Sequence, residues 1–129
     1  MIRIALYAFA AALALGTALP SAAQDAEAGK RVFNQCRACH SIDQGGRNGV
    51  GPNLHGIIGR KAGTIEGFRY SASMQELACT GHVWTYEHLR AYLRYPKAVL
   101  PRVTMAFVGL RNDTQLYDIL AYLNTLRAN

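Results

Sequence analysis

The chain has 129 residues, a length that fits one small domain, and its 14 lysines and arginines outnumber its 8 aspartates and glutamates. The excess of positive charge favours acidic partners, but the basic residues are scattered and form no stripe, so we expect no nucleic-acid binding. The three cysteines are an odd number and only two lie close together, which argues against a disulfide framework.

Residues 1–23 have the features of a secretory signal peptide. Arg3 supplies a positive start, residues 4–19 are apolar and uncharged, and a proline and small residues follow for cleavage. A membrane-spanning helix needs about 20 apolar residues, so cleavage after Ala23 is favoured over retention as an uncleaved anchor. We therefore expect a signal peptide over residues 1–23 and a folded, exported domain over residues 24–129.

Apolar periodicity and capping patterns predict three main helices and one short helix in residues 24–129. Their expected ranges, in chain order, are about Asp25 to Ala38, about Ser73 to Cys79 for the short helix, Thr85 to Tyr95, and a last helix from near Asn112. Ser73, Thr85 and Asn112 are the expected N-caps, and Pro96 ends the third helix. No stretch alternates as a strand does, so the sequence indicates an all-α fold.

Two long segments, residues 41–70 and 96–111, are predicted to be loops. The first contains eight glycines and Pro52, a density that argues against regular structure. A compact domain rarely keeps so long a loop without a functional reason. Wrapping around a cofactor would be such a reason.

The segment Cys36-Arg37-Ala38-Cys39-His40 has the C-x-x-C-H pattern of c-type haem attachment. Cysteines three residues apart lie on one side of a helical turn, so both sulfurs can reach the vinyl groups along one haem edge, and the histidine can reach the iron. A redox dithiol usually accompanies a βαβ pattern, and a zinc site needs two more ligands. The motif therefore favours one covalently bound haem c.

The second axial ligand of the iron has several candidates in the mature chain. They are Met74, Met105, His55, His82 and His88. Met105 follows Pro101 in a predicted loop and is free to approach the iron from the side opposite His40. Its thioether would raise the reduction potential. Core packing is the alternative role for Met105, and the more typical role for Met74.

Taken in order, the motifs of residues 24–129 resemble the class I c-type cytochromes, the family of bacterial cytochrome c2 and mitochondrial cytochrome c. The motifs that carry the resemblance are Cys36-Arg37-Ala38-Cys39-His40, Gly51-Pro52-Asn53-Leu54-His55-Gly56, Gly59-Arg60-Lys61, Phe68 with Tyr70, Val83-Trp84, Tyr92-Leu93 with Pro96-Lys97, Met105-Ala106-Phe107 and Ala121-Tyr122-Leu123. Gly29 and Tyr122 resemble the residues at which the terminal helices of the family cross.

This resemblance implies a small cytochrome c fold wrapped around one haem, with Met105 as the methionine ligand. The carbonyl of Pro52 would accept the proton of the distal ring nitrogen of His40. The residues implied to bind the haem propionates are Arg60, Tyr70 and Trp84, and the hydroxyl implied to lie near the methionine sulfur is that of Tyr92. The alternatives are loop stiffening for Pro52 and core packing for Tyr70, Trp84 and Tyr92.

Three features depart from the family pattern. Val103 replaces a threonine that bonds a haem propionate, and Thr104 is the alternative donor. Met74 stands where the family usually has a polar residue near the haem, which should raise the reduction potential. The family docks its partners through a ring of lysines. In this chain Lys97 and Arg111 match two of those positions, whereas Gln35 and Thr104 occupy others. We therefore expect weaker electrostatic guidance of partners.

These observations favour a soluble, monomeric, periplasmic one-electron carrier and not an enzyme, because a haem with both axial positions filled has no open site for a substrate. The resemblance implies transient docking with redox partners at membrane complexes, such as a quinol–cytochrome c reductase as donor and an oxidase or reaction centre as acceptor. Two alternatives stay open: a ligand-binding or peroxidatic haem protein, and an electron-accepting subunit dedicated to one periplasmic dehydrogenase.

Overall fold

A computed structural model of the protein describes residues 24–127, so the expected signal peptide over residues 1–23 lies outside the described residues. The helices are α1 (Ala26–Phe33), α2 (Ala72–Cys79), α3 (Tyr86–Arg94), α4 (Pro96–Val99) and α5 (Asp113–Thr125). Within residues 24–127 no strand forms, and Lys61 and Val83 make an isolated antiparallel bridge. The all-α prediction is confirmed. None of the helices in this part of the chain is long and apolar enough to cross a membrane.

Side-chain caps fix the starts of the helices, and two of the three predicted caps are confirmed. Thr85 accepts a hydrogen bond from the backbone of His88, and Asn112 accepts one from the backbone of Gln115. The predicted cap Ser73 is wrong, because Ser71 caps α2 by accepting a hydrogen bond from the backbone of Met74. Ser71 has the extended backbone that an N-cap requires, whereas Ser73 is buried inside the helix.

The first helix is shorter than predicted, and a short helix replaces part of a predicted loop. α1 ends at Phe33, not at Ala38, and the chain continues through turns in which the backbone of Cys36 donates to Phe33 and that of Cys39 donates to Cys36. Such bonds to the third preceding residue make a tighter coil than an α-helix. Residues 96–99 form α4 because Pro96, at its first position, already has a helical φ.

The core is organised by the crossing of α1 and α5. A Cβ atom added at Gly29 would lie 1.9 Å from the backbone oxygen of Asp118 and 2.8 Å from Cβ of Tyr122, so only glycine allows the two backbones to come this close. The rings of Phe33 and Tyr122 pack 5.7 Å apart beside the crossing. The backbone N–H of Asp25 donates to the buried carboxylate of Asp118 at 2.9 Å.

The long loop over residues 41–70 is ordered by backbone hydrogen bonds to distant parts of the chain. The N–H of Gly56 donates to the carbonyl of Leu126 after α5, and the N–H of Gly59 donates to the carbonyl of Trp84 before α3, both at 2.8 Å. Ile57 and Ile58 are buried between these anchors. The loop is therefore tied to the chain beside α3 and α5.

Candidate haem-binding site

The imidazole of His40 is oriented by the loop that faces it. Its Nδ1 lies 2.7 Å from the carbonyl oxygen of Pro52. A carbonyl only accepts, so Nδ1 carries the proton and Nε2 keeps its lone pair. Burial lowers the pKa of His40, the hydrogen bond to Pro52 raises it, and the positive charge of Arg60 lowers it further. The neutral imidazole, which is the form that ligates a metal, is favoured.

Gly51 allows the loop to lie flat against the His40 ring. A Cβ atom at this position would sit 2.3 Å from Cε1 of His40 and 2.6 Å from Nδ1. The N–H of Gly51 donates to the carbonyl of Cys39 at 2.8 Å, which joins the loop to the motif itself. Sequence reasoning did not single out Gly51 as a site residue. The available signal was its position directly before Pro52.

The two cysteines of the motif are free thiols in different surroundings. Cys36 is half-buried and packs against the hydrophobic core, whereas Cys39 is exposed. Burial, with a further contribution from Cys39, raises the pKa of the Cys36 thiol to about 11. This opposes formation of the thiolate on which redox dithiols depend. Within residues 24–127, no three His, Cys, Asp or Glu side chains are grouped so as to hold a metal ion.

Arg60 is a half-buried cation without an acidic partner among the described residues. Its guanidinium donates to the carbonyls of Asn53 at 3.0 Å and His55 at 3.2 Å, and neither ion pair in this part of the chain includes it. Burial lowers the pKa of Arg60, while Tyr70 acts in the opposite direction. A buried charge normally needs a counter-charge, so the surroundings of Arg60 suit an anionic group.

Trp84 and Tyr92 lie together in the buried core, with ring centroids 5.1 Å apart. The backbone N–H of Trp84 donates to the backbone carbonyl of Arg60 at 2.9 Å, which joins the two chain segments. Burial raises the pKa of Tyr92 to about 12, so its hydroxyl stays protonated and can donate a hydrogen bond. The structure thus packs the side chains of Trp84 and Tyr92 together and joins Trp84 to Arg60 through the backbone.

Tyr70 lines a cleft of about 420 Å³ between the start of α2 and the loop of Met105. Arg69, Ser71 and Thr104 also line this cleft, and the phenol oxygen of Tyr70 accepts a hydrogen bond from the backbone of Ile65 at 3.2 Å. Arg69 was not singled out from the sequence, because no pattern distinguishes it from the other scattered arginines.

Met105 is half-buried and packs against the hydrophobic core, as do Met74, Val103 and Phe107. Val103 is therefore partly buried against the core, at the position where the resemblance implies a threonine. Thr104 is exposed and lines the cleft beside Tyr70. The hydroxyl that the sequence suggested as an alternative propionate donor is thus at a polar surface, next to another predicted propionate residue.

The donors present fit a haem. A neutral imidazole with its Nε2 lone pair available and a thioether are a known pair of haem-iron ligands. The guanidinium of Arg60, half-buried and without an acidic partner among the described residues, suits a propionate. Gly51 has no side chain to displace the His40 ring, so the ring keeps its hydrogen bond to Pro52. His40, Met105 and Arg60 are the residues that could hold the iron and one carboxylate of such a group.

Comparisons with known proteins agree with this fit. The Cytochrome c family model matches residues 26–127. The chain is 46% identical to cytochrome c2 of Blastochloris viridis over 110 residues, covering 85% of this chain and 84% of that protein. It is 48% identical to cytochrome c-550 of Ancylobacter novellus over 101 residues, covering 78% of this chain and 94% of that protein.

Solved structures give the same result for the fold. Cytochrome c2 from Rhodospirillum centenum matches with a TM-score of 0.76 and 35% identity, covering 81% of this chain and 99% of that one. The ferricytochrome c2 from Rhodopseudomonas palustris matches with a TM-score of 0.71 and 40% identity, over 80% and 99% of the two chains. The predicted cytochrome c fold is confirmed. The chain belongs to the cytochrome c family, and it is a haem-containing cytochrome of electron transport.

Proposed function

We propose that the chain is a one-electron carrier with a single haem c, attached through Cys36 and Cys39 and ligated by His40 and Met105. The observation that carries this proposal is the orientation of His40. Its Nδ1–H is held by the carbonyl of Pro52 at 2.7 Å, so the lone pair of Nε2 is left for the iron. When bound, the haem supplies an iron that changes by one electron.

The surrounding residues support the carrier role by fixing the ligands and the charges. The carbonyl of Pro52 makes His40 a more basic and better oriented ligand. Arg60 offers a cation to one haem propionate, and the buried indole and phenol of Trp84 and Tyr92, which pack against each other, offer further donors. With Met105 on the second axial side, water and small substrates would be excluded from the iron, which favours electron transfer over catalysis.

The compartment and the partners follow from the sequence and the family. A signal peptide over residues 1–23 would send the domain to the periplasm, where haem attachment takes place. We propose a monomer that docks transiently with redox proteins, with a quinol–cytochrome c reductase as donor and an oxidase, a reaction centre or a dehydrogenase as partner. No nucleic acid is involved.

The test is the absorption spectrum of the haem-loaded protein in its ferric and ferrous forms, with and without carbon monoxide. A weak far-red sulfur-to-iron band in the ferric form, and no carbon monoxide shift in the ferrous form, are expected. Met105→Ala should abolish the band and bind carbon monoxide readily. The matched control is Met74→Ala, another half-buried methionine, which should keep the band.

Two outcomes would contradict the proposal. Ready carbon monoxide binding by the unmodified protein would mean that the sixth position is open and that the protein binds ligands. Loss of the far-red band in Met74→Ala, with its retention in Met105→Ala, would assign the ligand to the other methionine.

A further inference from the structure

The segment that carries Met105 has little support of its own. In the described part of the chain, no backbone N–H of residues 104–109 donates to a backbone carbonyl. The neighbouring residues on each side are anchored, since Val103 donates to Leu100 at 3.0 Å and Leu110 donates to Leu93 at 2.9 Å. The position of Met105 therefore depends on how firmly the two ends of this segment are held.

The C-terminal end of the segment is docked on the last turn of α3. The carbonyls of Leu93 and Arg94 have no partner within that helix, as is usual at a helix C-terminus. The backbone N–H of Leu110 donates to the carbonyl of Leu93, and Nη1 of Arg111 donates to the carbonyl of Arg94 at 3.1 Å. Gly109, with φ +103°, passes so close that a Cβ atom there would lie 2.1 Å from the Arg94 oxygen.

Arg111 makes three contacts at this junction. Besides the bond to Arg94, its Nη2 donates to the carbonyl of Val108 at 3.1 Å, and its guanidinium carbon lies 3.6 Å from the ring centroid of Tyr95. Arg94 returns a bond to the carbonyl of Arg111 at 3.4 Å and forms an ion pair with Asp113. The guanidinium of Arg111 is therefore engaged within its own chain on both its edge and its face.

The N-terminal end has a second, weaker arginine contact. Arg102 forms an ion pair with Glu76 of α2, and both side chains are more than 60% exposed. Exposed pairs of this kind contribute little to stability. Arg111 is exposed as well, but it makes two hydrogen bonds and a stacking contact where Arg102 makes one ion pair.

We propose that Arg111 is a positioning residue for Met105, and not a charge reserved for partner docking as the family resemblance implies. It holds residues 104–109 against the end of α3 and so keeps the thioether at the iron. This inference rests on the proposed function, because it requires Met105 to be the ligand.

The test uses the haem-loaded protein and a substitution that preserves the charge. Arg111→Lys keeps the positive charge but loses the planar fork that reaches two carbonyls and stacks on Tyr95. Carbon monoxide binding to the ferrous form reports opening of the segment. Losing the stacking and one hydrogen bond should raise the binding rate about 5- to 50-fold, and the ferric far-red band should disappear at a lower denaturant concentration.

The matched control is Arg90→Lys. Like Arg111, Arg90 of α3 is exposed, and its Nη1 donates to the hydroxyl of Tyr117 on α5 at 3.1 Å, a contact outside residues 104–109. This variant should bind carbon monoxide at the wild-type rate. The salt dependence of oxidation by hexacyanoferrate(III) should be unchanged in Arg111→Lys, because its net charge is unchanged.

The possible failures are distinguishable. If Arg111→Lys binds carbon monoxide no faster than Arg90→Lys, the positioning role is wrong. If the wild-type protein itself lacks the far-red band, the proposed function fails and this inference fails with it. A wild-type band together with an unaffected Arg111→Lys overturns the inference alone.

Discussion

Substituting Gly29 by alanine should destabilise the protein, although alanine is the better helix former. The new Cβ atom would lie 1.9 Å from the carbonyl oxygen of Asp118, well inside the 3.0 Å that real Cβ atoms keep. The obstacle is a backbone atom of a helix, which cannot rotate away as a side chain would. α1 and α5 would therefore have to separate by about 1 Å.

The size of the effect follows from three contributions. Overpacking of a tight core costs about 1 to 3 kcal/mol, and an immovable backbone obstacle favours the upper end. Separation also weakens the hydrogen bond from Asp25 to Asp118, which contributes about 1 kcal/mol. The higher helix propensity of alanine offsets about 1 kcal/mol. We expect a net loss of about 3 kcal/mol in the free energy of unfolding.

The assay is guanidinium chloride unfolding of the haem-loaded protein, followed by far-ultraviolet circular dichroism. With a denaturant slope of about 4 kcal/mol per molar, the midpoint should fall by roughly 0.7 M. The control is Lys30→Ala, which places alanine at the next, exposed position of α1 and should leave the midpoint nearly unchanged. Equal midpoints for the two variants would show that the helices do not meet at Gly29.

Three further predictions concern the haem, its potential and the pH dependence of stability. The haem-loaded protein should have one reactive thiol per chain, that of the exposed Cys79, because Cys36 and Cys39 are consumed as thioethers; three thiols in a dithionitrobenzoate titration would disprove attachment. Met74→Asn should lower the reduction potential in a redox titration, since a polar side chain favours the charged ferric haem, and an unchanged value would refute this. Burial lowers the pKa of His82, so the unfolded chain binds the proton more readily and stability should fall as the pH drops through about 6.5. His82→Gln should reduce the difference between unfolding midpoints at about pH 7.5 and 5.5, and an equal difference would contradict it.

The helix starts show which parts of the fold were predictable from sequence. Thr85 and Asn112 were correct because a cap is a local feature, set by one side chain and the third residue after it. Ser71 and Ser73 could both have capped α2, and the capping-box spacing of Ser73 with Glu76 favoured the wrong one. Ser73 is buried inside α2 and so leaves the cap to Ser71. Burial depends on the tertiary fold, which the local spacing does not reveal.

The end of α1 was missed for a different reason. No glycine or proline interrupts residues 33–38, and the apolar spacing continues through Cys36. Periodicity over one turn does not distinguish an α-helix from the tighter turns that the backbone hydrogen bonds form here. The attachment motif could still be recognised, because its identity depends on residue spacing and not on the exact coil.

The other site residues differ in how well the sequence alone could identify them. Cys36, Cys39 and His40 lie within five residues of the chain, so the haem-attachment motif can be recognised directly from the sequence. Arg60 and Trp84 are 24 residues apart, and only resemblance to a family could bring them together before the structure linked them through a backbone hydrogen bond. Distant residues meet through the fold, and spacing carries no information about that.

Arg111 shows the limit of resemblance itself. A basic residue steers a partner through its positive charge, which hydrogen bonds to neutral carbonyls leave in place, so a matching charge does not reveal what the donors of the side chain bind. Here the unpartnered carbonyl of Arg94 and the ring of Tyr95 lie within reach, and a guanidinium can bind both at once. A lysine at the same position would be a point charge, without the paired donors or the flat surface that a guanidinium offers. The same side chain can therefore position Met105 as well as carry a charge for docking, and a substitution that keeps the charge separates the two roles.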